Sequence, residues 1–262
     1  MSASFSWPKG KQAALSFSFD DARVSQADYG LPILEEHGIK ATFFVSFHNL
    51  KKRLDIWQRA VMNSHEIGNH TVHHPCGGNY AWSRENILEE YSLARFDEEL
   101  SEANARIEEL LGVSALTFAY PCGQKFVGRG QQVQSYVPLI AQRFLAGRSF
   151  REDAPNDPAF CDLAQLYAID ADGAEGACMI EHIDRALKGN AWLILAMHDV
   201  GDGGQSIAPQ VLEALCRYAR EQDNVLWTGS IAEIAGYIQQ NRNAVGCGIE
   251  VDRPMVQPQS IN

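Results

Sequence analysis

The chain has 262 residues, 45% of them apolar, which is enough to bury a core of barrel size. Its formal charge of -11, with no run rich in Lys or Arg, excludes a nucleic-acid partner and an anionic membrane surface. Six cysteines (Cys76, Cys122, Cys161, Cys178, Cys216, Cys247) stand without a CxxC pair, and read as free thiols in a reducing compartment. Residues 1–10 contain no apolar core of a signal peptide, and the longest strongly apolar run, Ala191 to Met197, is too short to cross a bilayer. These features predict a soluble, cytoplasmic protein acting on something small and intracellular.

In chain order, short β-type runs alternate with stretches of helical period. Ala13–Asp20 reads as a strand, Gln26–His37 as a helix closed by Gly38, and Ile39–Phe47 as a second strand rich in β-branched and aromatic residues. A helix over Arg53–Asn63 and a short strand over Glu66–His70 follow. A long helix is expected from Ser83 to Leu111, with Leu100, Ala103, Ile107 and Leu110 on one stripe. Ser114–Tyr120 is the fourth strand, Val133–Arg143 a helix, and Phe144–Phe150 the fifth strand. Strands at Leu163–Asp170 and Ala191–His198 flank a helix over Gly176–Lys188. The series ends with helix Pro209–Glu221, strand Asn224–Trp227 and helix Ile231–Asn241. Residues 1–243 read as one domain and 244–262 as a polar tail.

Repeated βα units on short loops imply a parallel sheet, open or closed. Closure is favoured because Asp20-Asp21, His70, Pro121-Cys122, Asp170 and His198 all end successive strands. A (β/α) barrel gathers those ends on one face, whereas an open sheet would spread them out.

The stretch Asn69-His70-Thr71-Val72-His73-His74-Pro75 offers two imidazoles four residues apart. His70 and His74 could share a cation across one helical turn stopped by Pro75, with His73 as a competitor. Such a site needs a third, anionic ligand and an open position. Asp20 and Asp21 are adjacent at a strand end and diverge, which suits one on a metal and the other as a base. Both could equally cap the following loop. His198 ends a buried strand and could act as a general acid, with Asp170 orienting it. The Pro121-Cys122-Gly123 turn could present an amide to an oxyanion, or Cys122 could be a nucleophile.

Taken together, Phe17-Ser18-Phe19-Asp20-Asp21, His70-Thr71-Val72-His73-His74-Pro75, Phe118-Ala119-Tyr120-Pro121-Cys122-Gly123, Tyr167-Ala168-Ile169-Asp170 and Leu195-Ala196-Met197-His198 resemble the motifs of the polysaccharide deacetylases. This is the NodB-homology domain of carbohydrate esterase family 4. The resemblance runs in order over roughly residues 11 to 240. It implies a distorted (β/α) barrel with about seven parallel strands, and a metal-dependent deacetylase of N- or O-acetylated sugars. It makes Asp20 the base and Asp21, His70 and His74 the metal ligands. His198 is then the acid, Asp170 its partner, and the backbone N–H of Cys122 part of the oxyanion hole. Tyr120 and Tyr167, within the third and fourth motifs, are the implied substrate contacts.

Zinc suits that ligand set best, with cobalt, nickel or iron as substitutes. The expected partner is an acetylated carbohydrate or a small amide, with no nucleic acid and no membrane; a homo-oligomer is left open. An amidase for a non-sugar amide and a catalytically silent carbohydrate-binding relative are the alternatives. Two departures stand out: Ala119 replaces the arginine of the third motif, and Tyr167 replaces the tryptophan of the fourth. The missing guanidinium is assigned to Arg148 in the fifth strand, with Gly147 giving room and Arg23 and Arg129 as competitors.

Overall fold

Strands covered on both faces carry apolar runs without alternation, and the sheet is built from such runs. The computed structural model describes residues 5–242, so the expected tail over 244–262 lies outside them. β1 (Ala13–Asp20) is buried at all eight positions and forms the central stave. The others are β2 (Thr42–Val45), β3 (Glu66–Asn69), β4 (Thr117–Ala119), β5 (Ala146–Arg148), β6 (Ile169–Asp170), β7 (Trp192–Met197) and β8 (Leu226–Thr228). Their order is β5-β4-β3-β2-β1-β7-β6, and every pairing is parallel. One edge of β1 is shared: Ala13–Leu15 pair with β8, and Ser18–Asp20 pair with β2. A bridge between Arg148 and Leu166 carries the curl round. Ser149 N donates to Leu166 O at 2.8 Å, and Leu166 N donates to Gly147 O at 2.8 Å. The result is the distorted barrel of seven parallel staves, with β8 wedged against β1.

Among the described residues, seven α-helices of six or more residues connect and cover the staves: α1 (Leu31–Glu36), α2 (Leu54–Met62), α3 (Leu93–Leu111), α4 (Val137–Arg143), α5 (Gly176–Gly189), α6 (Pro209–Glu221) and α7 (Ile231–Arg242). α3 buries Phe96, Leu100, Ala103, Ile107 and Leu111, and stops at Gly112, whose φ of 70° is the left-handed C-terminal geometry. It begins at the Ser92 cap, not at Ser83. Residues 81–90 form two short 3-10 turns instead, because Ser83 and Leu88 are both tied back to the Cys76 backbone. α1 is likewise shorter than expected. Gln26–Gly30 is a wide π-type turn, and the α-helix starts only where Pro32 fits its first turn. Among the described residues no helix is long and apolar enough to cross a membrane.

The N-terminal end of the barrel is tied by one carboxylate. Glu66 accepts from Thr42 Oγ1 at 2.7 Å, from Thr117 Oγ1 at 2.5 Å and from Ala232 N at 2.9 Å, joining three staves to α7. Burial pushes its carboxyl upward against these hydrogen bonds. The C-terminal ends are thereby left free for chemistry.

Gly147 marks the tightest approach near that chemistry. A Cβ there would lie 2.7 Å from Ala164 O and from Ile140 Cγ2, and 3.0 Å from Tyr120 Cε2. The backbone oxygen has no freedom to yield. Gly147→Ala should therefore cost about 1–3 kcal/mol, as overpacked cores do, which is roughly 2–12 °C in Tm for a domain of this size. Calorimetric melting of the variant tests this, and an unchanged Tm would contradict it.

Candidate active site

Asp20 ends β1 and its carboxylate is almost fully buried. A buried carboxylate is neutral unless something holds its charge. Arg148 does so: its Nη2 donates to Asp20 Oδ1, its Nη1 donates to Ser149 O at 3.0 Å, and its guanidinium lies 4.8 Å from the Phe44 ring centroid. Burial works to raise the Asp20 pKa, but the charges of Arg148, His70 and His198 outweigh it and bring it down to about 2. Arg148 and Ala119 are register partners on adjacent parallel strands. The guanidinium therefore approaches from one stave over, at the height of the position where the third motif of the family carries its arginine. The competitors go elsewhere. Arg23 takes Asp21 and Asp199, and Arg129 sits exposed in a loop.

Asp21 faces the other way because the chain turns sharply there, with φ of 76° at Asp21 and 48° at Ala22. Its Oδ1 lies 3.9 Å from Nε2 of His70 and 3.9 Å from Nε2 of His74. Its Oδ2 accepts from Arg23 at 3.1 and 3.2 Å. The imidazoles do not span a helical turn, contrary to the i, i+4 expectation. His70 leaves β3 in a loop in which Thr71 (φ 63°) and His74 (φ 50°) are left-handed. Glu99 from α3 accepts the amides of Val72 and His73, and Thr71 Oγ1 accepts that of His74, so the loop's hydrogen bonds are made without a helix. Glu99 also takes His73 Nδ1 at 2.5 Å, which turns that competitor away from the cluster.

One carboxylate oxygen and two imidazole nitrogens, mutually within 4.8 Å, fit a divalent transition-metal ion. His70 Nδ1 donates to Ala119 O at 2.9 Å, which leaves the Nε2 lone pair aimed at Asp21. Burial, and then the neighbouring His70, hold the His74 pKa down at about 4, the neutral state a ligand needs. Asp21 is held low by His70 and His74 in spite of its burial.

His198 directly follows β7. Its partner is Asp172, not Asp170. Nδ1 of His198 lies 2.6 Å from Asp172 Oδ2, and its amide donates to Asp172 Oδ1 at 3.0 Å. Asp170 is used up by the turn: its Oδ1 accepts the amide of Asp172 and its Oδ2 accepts from Arg151 at 3.2 Å. That Asx turn brings the second carboxylate, two residues on, under the imidazole. Burial would lower the His198 pKa, but the Asp172 hydrogen bond and the charge of Asp20 raise it. Gln26, which no sequence signal singled out, is fully buried, and its Nε2 donates to both Asp20 O at 2.5 Å and His198 O at 2.6 Å. It ties together the strand ends that carry the two titratable groups.

The Pro121–Gly123 turn closes through Gly123 N to Tyr120 O and Gln124 N to Pro121 O, and neither bond uses the Cys122 amide. The Cys122 thiol is not free. It forms a disulfide with Cys76, which contradicts the reading of all six cysteines as thiols and removes that support for a reducing compartment. It also removes Cys122 as a nucleophile. Cys161, Cys178 and Cys216 are unpaired, and Cys247 lies outside the described residues.

Neither tyrosine reaches the site. Tyr120 is buried between Phe118 and Tyr136, donates its hydroxyl to Ala164 O at 2.7 Å, and has its pKa raised by burial. Tyr167 is exposed, but Asn156 binds its backbone and also Trp192 O, at the end of β7 opposite His198.

The family model for polysaccharide deacetylase matches residues 8–135, which include Asp20, Asp21, His70, His74 and Cys122. A peptidoglycan-N-acetylglucosamine deacetylase of Bacillus cereus is 39% identical over 72 residues, 27% of this chain and 26% of that protein. Matched stretches span only 10–38% of the curated relatives. Among solved structures, one described as a putative polysaccharide deacetylase from Mycobacterium smegmatis superposes with a TM-score of 0.67 at 16% identity, covering 99% of both chains. A family 4 acetyl xylan esterase from Clostridium thermocellum, in complex with a cobalt ion, gives 0.58 at 16% identity, over 89% of this chain and 96% of that one. Over residues 8–135 the chain thus matches the polysaccharide deacetylase family, and its barrel is the fold of solved structures described as a polysaccharide deacetylase and a family 4 acetyl xylan esterase.

Proposed function

We propose that the chain is a metal-dependent hydrolase that removes acetyl groups from N- or O-acetylated carbohydrate. The observation that carries this reading is the pairing of opposite protonation states around one triad. Asp20 is held ionised by Arg148, the His198 pKa is raised by its Asp172 hydrogen bond and by the charge of Asp20, and Asp21, His70 and His74 form the neighbouring triad. Groups pushed apart in pKa are what acid–base catalysis at neutral pH requires.

Asp21, His70 and His74 would hold the ion, zinc by the nature of the donors, with cobalt, nickel or iron able to replace it. When bound, it would supply Lewis acidity, making water easier to deprotonate and the acyl carbon more electrophilic. Asp20 accepts the proton of the attacking water. The Cys122 N–H donates to the acyl oxygen as negative charge develops there. His198, oriented through Nδ1 by Asp172, gives its Nε2 proton to the departing amine or alkoxide. The B. cereus and C. thermocellum relatives are both named for acetyl removal from sugar polymers, which supports the coarse activity.

Acetate release from N-acetyl chito-oligosaccharides, peptidoglycan and acetylated xylan, with elemental analysis of the same samples, tests this. Wild type should carry about one ion per chain. His74→Ala should lose ion and activity together, while Asp20→Asn keeps the ion and loses at least roughly a hundredfold in turnover. Undiminished metal in His74→Ala, or no acetate from any substrate with wild type, would sink the reading.

The Arg148 contact predicts a pH effect of definite sign. With Asp20 at about 2, the base is ionised throughout the working range. In Arg148→Met the burial of Asp20 loses its main opponent, so the carboxyl pKa rises toward or above its ordinary 3.8. The acid limb of the kcat profile should move to higher pH in the variant, at unchanged metal content. An acid limb that stays in place would remove Arg148 from this role.

Asp172 predicts the opposite limb. His198 is raised above 6.5, and activity that needs its proton persists up to that raised value. Asp172→Asn lowers the imidazole pKa and should draw the alkaline limb to lower pH, whereas Asp170→Asn should leave it. The reverse pattern would restore Asp170 as the partner.

A further inference from the structure

One corner of the barrel mouth is built from sulfur. Cys76 stands two residues after His74 and is bonded to Cys122, 46 residues on. A third donor faces the pair: Cys76 Sγ lies 3.7 Å from His74 Nδ1, while Nε2 of the same ring lies toward Asp21. The two sulfurs and the imidazole nitrogen are all within 4.8 Å of one another. A tetrahedral zinc, about 2.3 Å from sulfur and about 2.0 Å from nitrogen, sets those two donors about 3.5 Å apart. One edge of such a site therefore already stands close to its working length. A staple between loops accounts for the two sulfurs but not for the imidazole nitrogen turned toward them.

The backbone holds this corner together without help from the sulfur bond. Ser83 Oγ accepts the Cys76 amide at 3.0 Å and donates to its carbonyl at 3.1 Å, and Leu88 N donates to that carbonyl at 3.0 Å. Cys122 lies in the turn closed by Gly123 N on Tyr120 O and by Gln124 N on Pro121 O. Gly77 N donates to Gln124 Oε1 at 2.7 Å, which ties the two loops to each other directly. His74 and Cys122 are both left-handed, with φ of 50° and 53°, a conformation that disfavours any residue with a Cβ. Cutting the disulfide would thus free two thiols and leave them beside His74. Cys76 is fully buried and Cys122 only partly, which makes Cys122 the sulfur more open to a reductant.

We propose that reduction of this disulfide creates a second metal site, made of Cys76 Sγ, Cys122 Sγ and His74 Nδ1, for zinc or a softer thiophilic ion. A dithiol reductant attacks Cys122 Sγ, the S–S bond breaks, and Cys76 leaves as a thiolate that takes up a proton. The reductant's second thiol then displaces Cys122 and closes the reductant's own disulfide. Two electrons pass to the cysteine pair, and two thiols result. Each thiol releases its proton as it ligates, and two thiolates with one imidazole leave the fourth tetrahedral position open. Thiolates favour softer ions than the one oxygen and two nitrogens of Asp21, His70 and His74. The two ligand sets share the His74 ring through opposite nitrogens, so an ion on the sulfur side sets a second positive charge against the triad. The state of one covalent bond decides whether this corner is a staple or a ligand set.

Titration of the full chain with cobalt(II), read by the thiolate-to-cobalt charge-transfer absorption and by elemental analysis, tests the site. His70→Ala removes one triad ligand and isolates the sulfur corner; Asp21→Ala does the same should His70→Ala fail to fold. Each protein is titrated as the disulfide and again after reduction with excess dithiol, which is removed under argon. The disulfide form of His70→Ala should show no charge-transfer band, and the reduced form should bind about one ion per chain with the band present. Adding Cys122→Ser should weaken cobalt binding at least about tenfold and erase most of the band. A reduced protein without the band, or a disulfide that resists dithiol in the folded chain, would overturn the proposal. So would a band indifferent to Cys122→Ser, because Cys161, Cys178 or Cys216 would then be the donor. Cobalt on the disulfide form of wild type, with no band in either reduced variant, would sink this site and leave the triad standing. The band in reduced His70→Ala, with no cobalt on the disulfide form of wild type, would do the converse.

Discussion

Everything at the C-terminal face of the barrel depends on one buried ion pair, Asp20 with Arg148. Both side chains are essentially inaccessible to water. Two charges removed from water cost several kcal/mol each unless they meet each other in good geometry, and removing one partner strands the other. That requirement fixes β5 at the height of the end of β1, across the barrel from it. The same strand end also carries the bridge to Leu166 that brings the sheet round on itself. The closure of the barrel and the charge state of Asp20 are therefore set by the same three residues, Ala146 to Arg148. Gly147 permits it, since any side chain there would meet the Ala164 carbonyl.

β4 contributes by what it lacks. Ala119 is the register partner of Arg148, and its small side chain clears the space that the guanidinium of its neighbour crosses. Its carbonyl meanwhile accepts His70 Nδ1, and the amide of the next residue, Tyr120, donates to Arg148 O at 3.0 Å. A single alanine thus serves Asp20 through its missing bulk and His70 through its backbone. Moving the arginine one stave over leaves the imidazole's second contact untouched, because that contact never involved a side chain.

The parts of this site that could be read from the sequence are those fixed by strand ends. Alternation of βα units predicts a parallel sheet, and the reactive residues that follow its buried runs, Asp20, His70 and His198 among them, favour its closure into a barrel. Arg148 was legible because Ala119 stands where the third motif has an arginine, and a fifth-strand residue beside Gly147 could reach the same barrel face as Asp20. Where the chain leaves the strand the reasoning fails. Asp170 and Asp172 differ only by an Asx turn, which no pattern of residue types encodes. The His70–His74 spacing suits a helix, but the α3 carboxylate Glu99, distant in sequence, fixes a left-handed loop instead. The Cys76–Cys122 pairing spans 46 residues and depends on which loops meet at the barrel mouth. Gln26 has no signature at all, for a glutamine bridging two carbonyls looks like any other glutamine.

Adjacent aspartates impose a last constraint. Asp20 and Asp21 repel, and the charge of Asp20 by itself raises the pKa of Asp21. Both can be ionised only if each has its own cation, and the fold supplies two of different character. Arg148 is buried, bonded to its own strand and committed to Asp20. Arg23 is partly exposed and divided, with one arm on Asp21 Oδ2 and the other on Asp199 at 2.6 Å. A divided, solvated guanidinium neutralises Asp21 only in part, because screening weakens it. The remaining negative charge sits on Oδ1, between the two imidazoles. Asp20 is thus satisfied by protein alone, whereas Asp21 keeps a deficit of positive charge that a divalent ion would fill. Two neighbouring residues of identical chemistry are sorted into different roles by how completely each one's arginine is withdrawn from water.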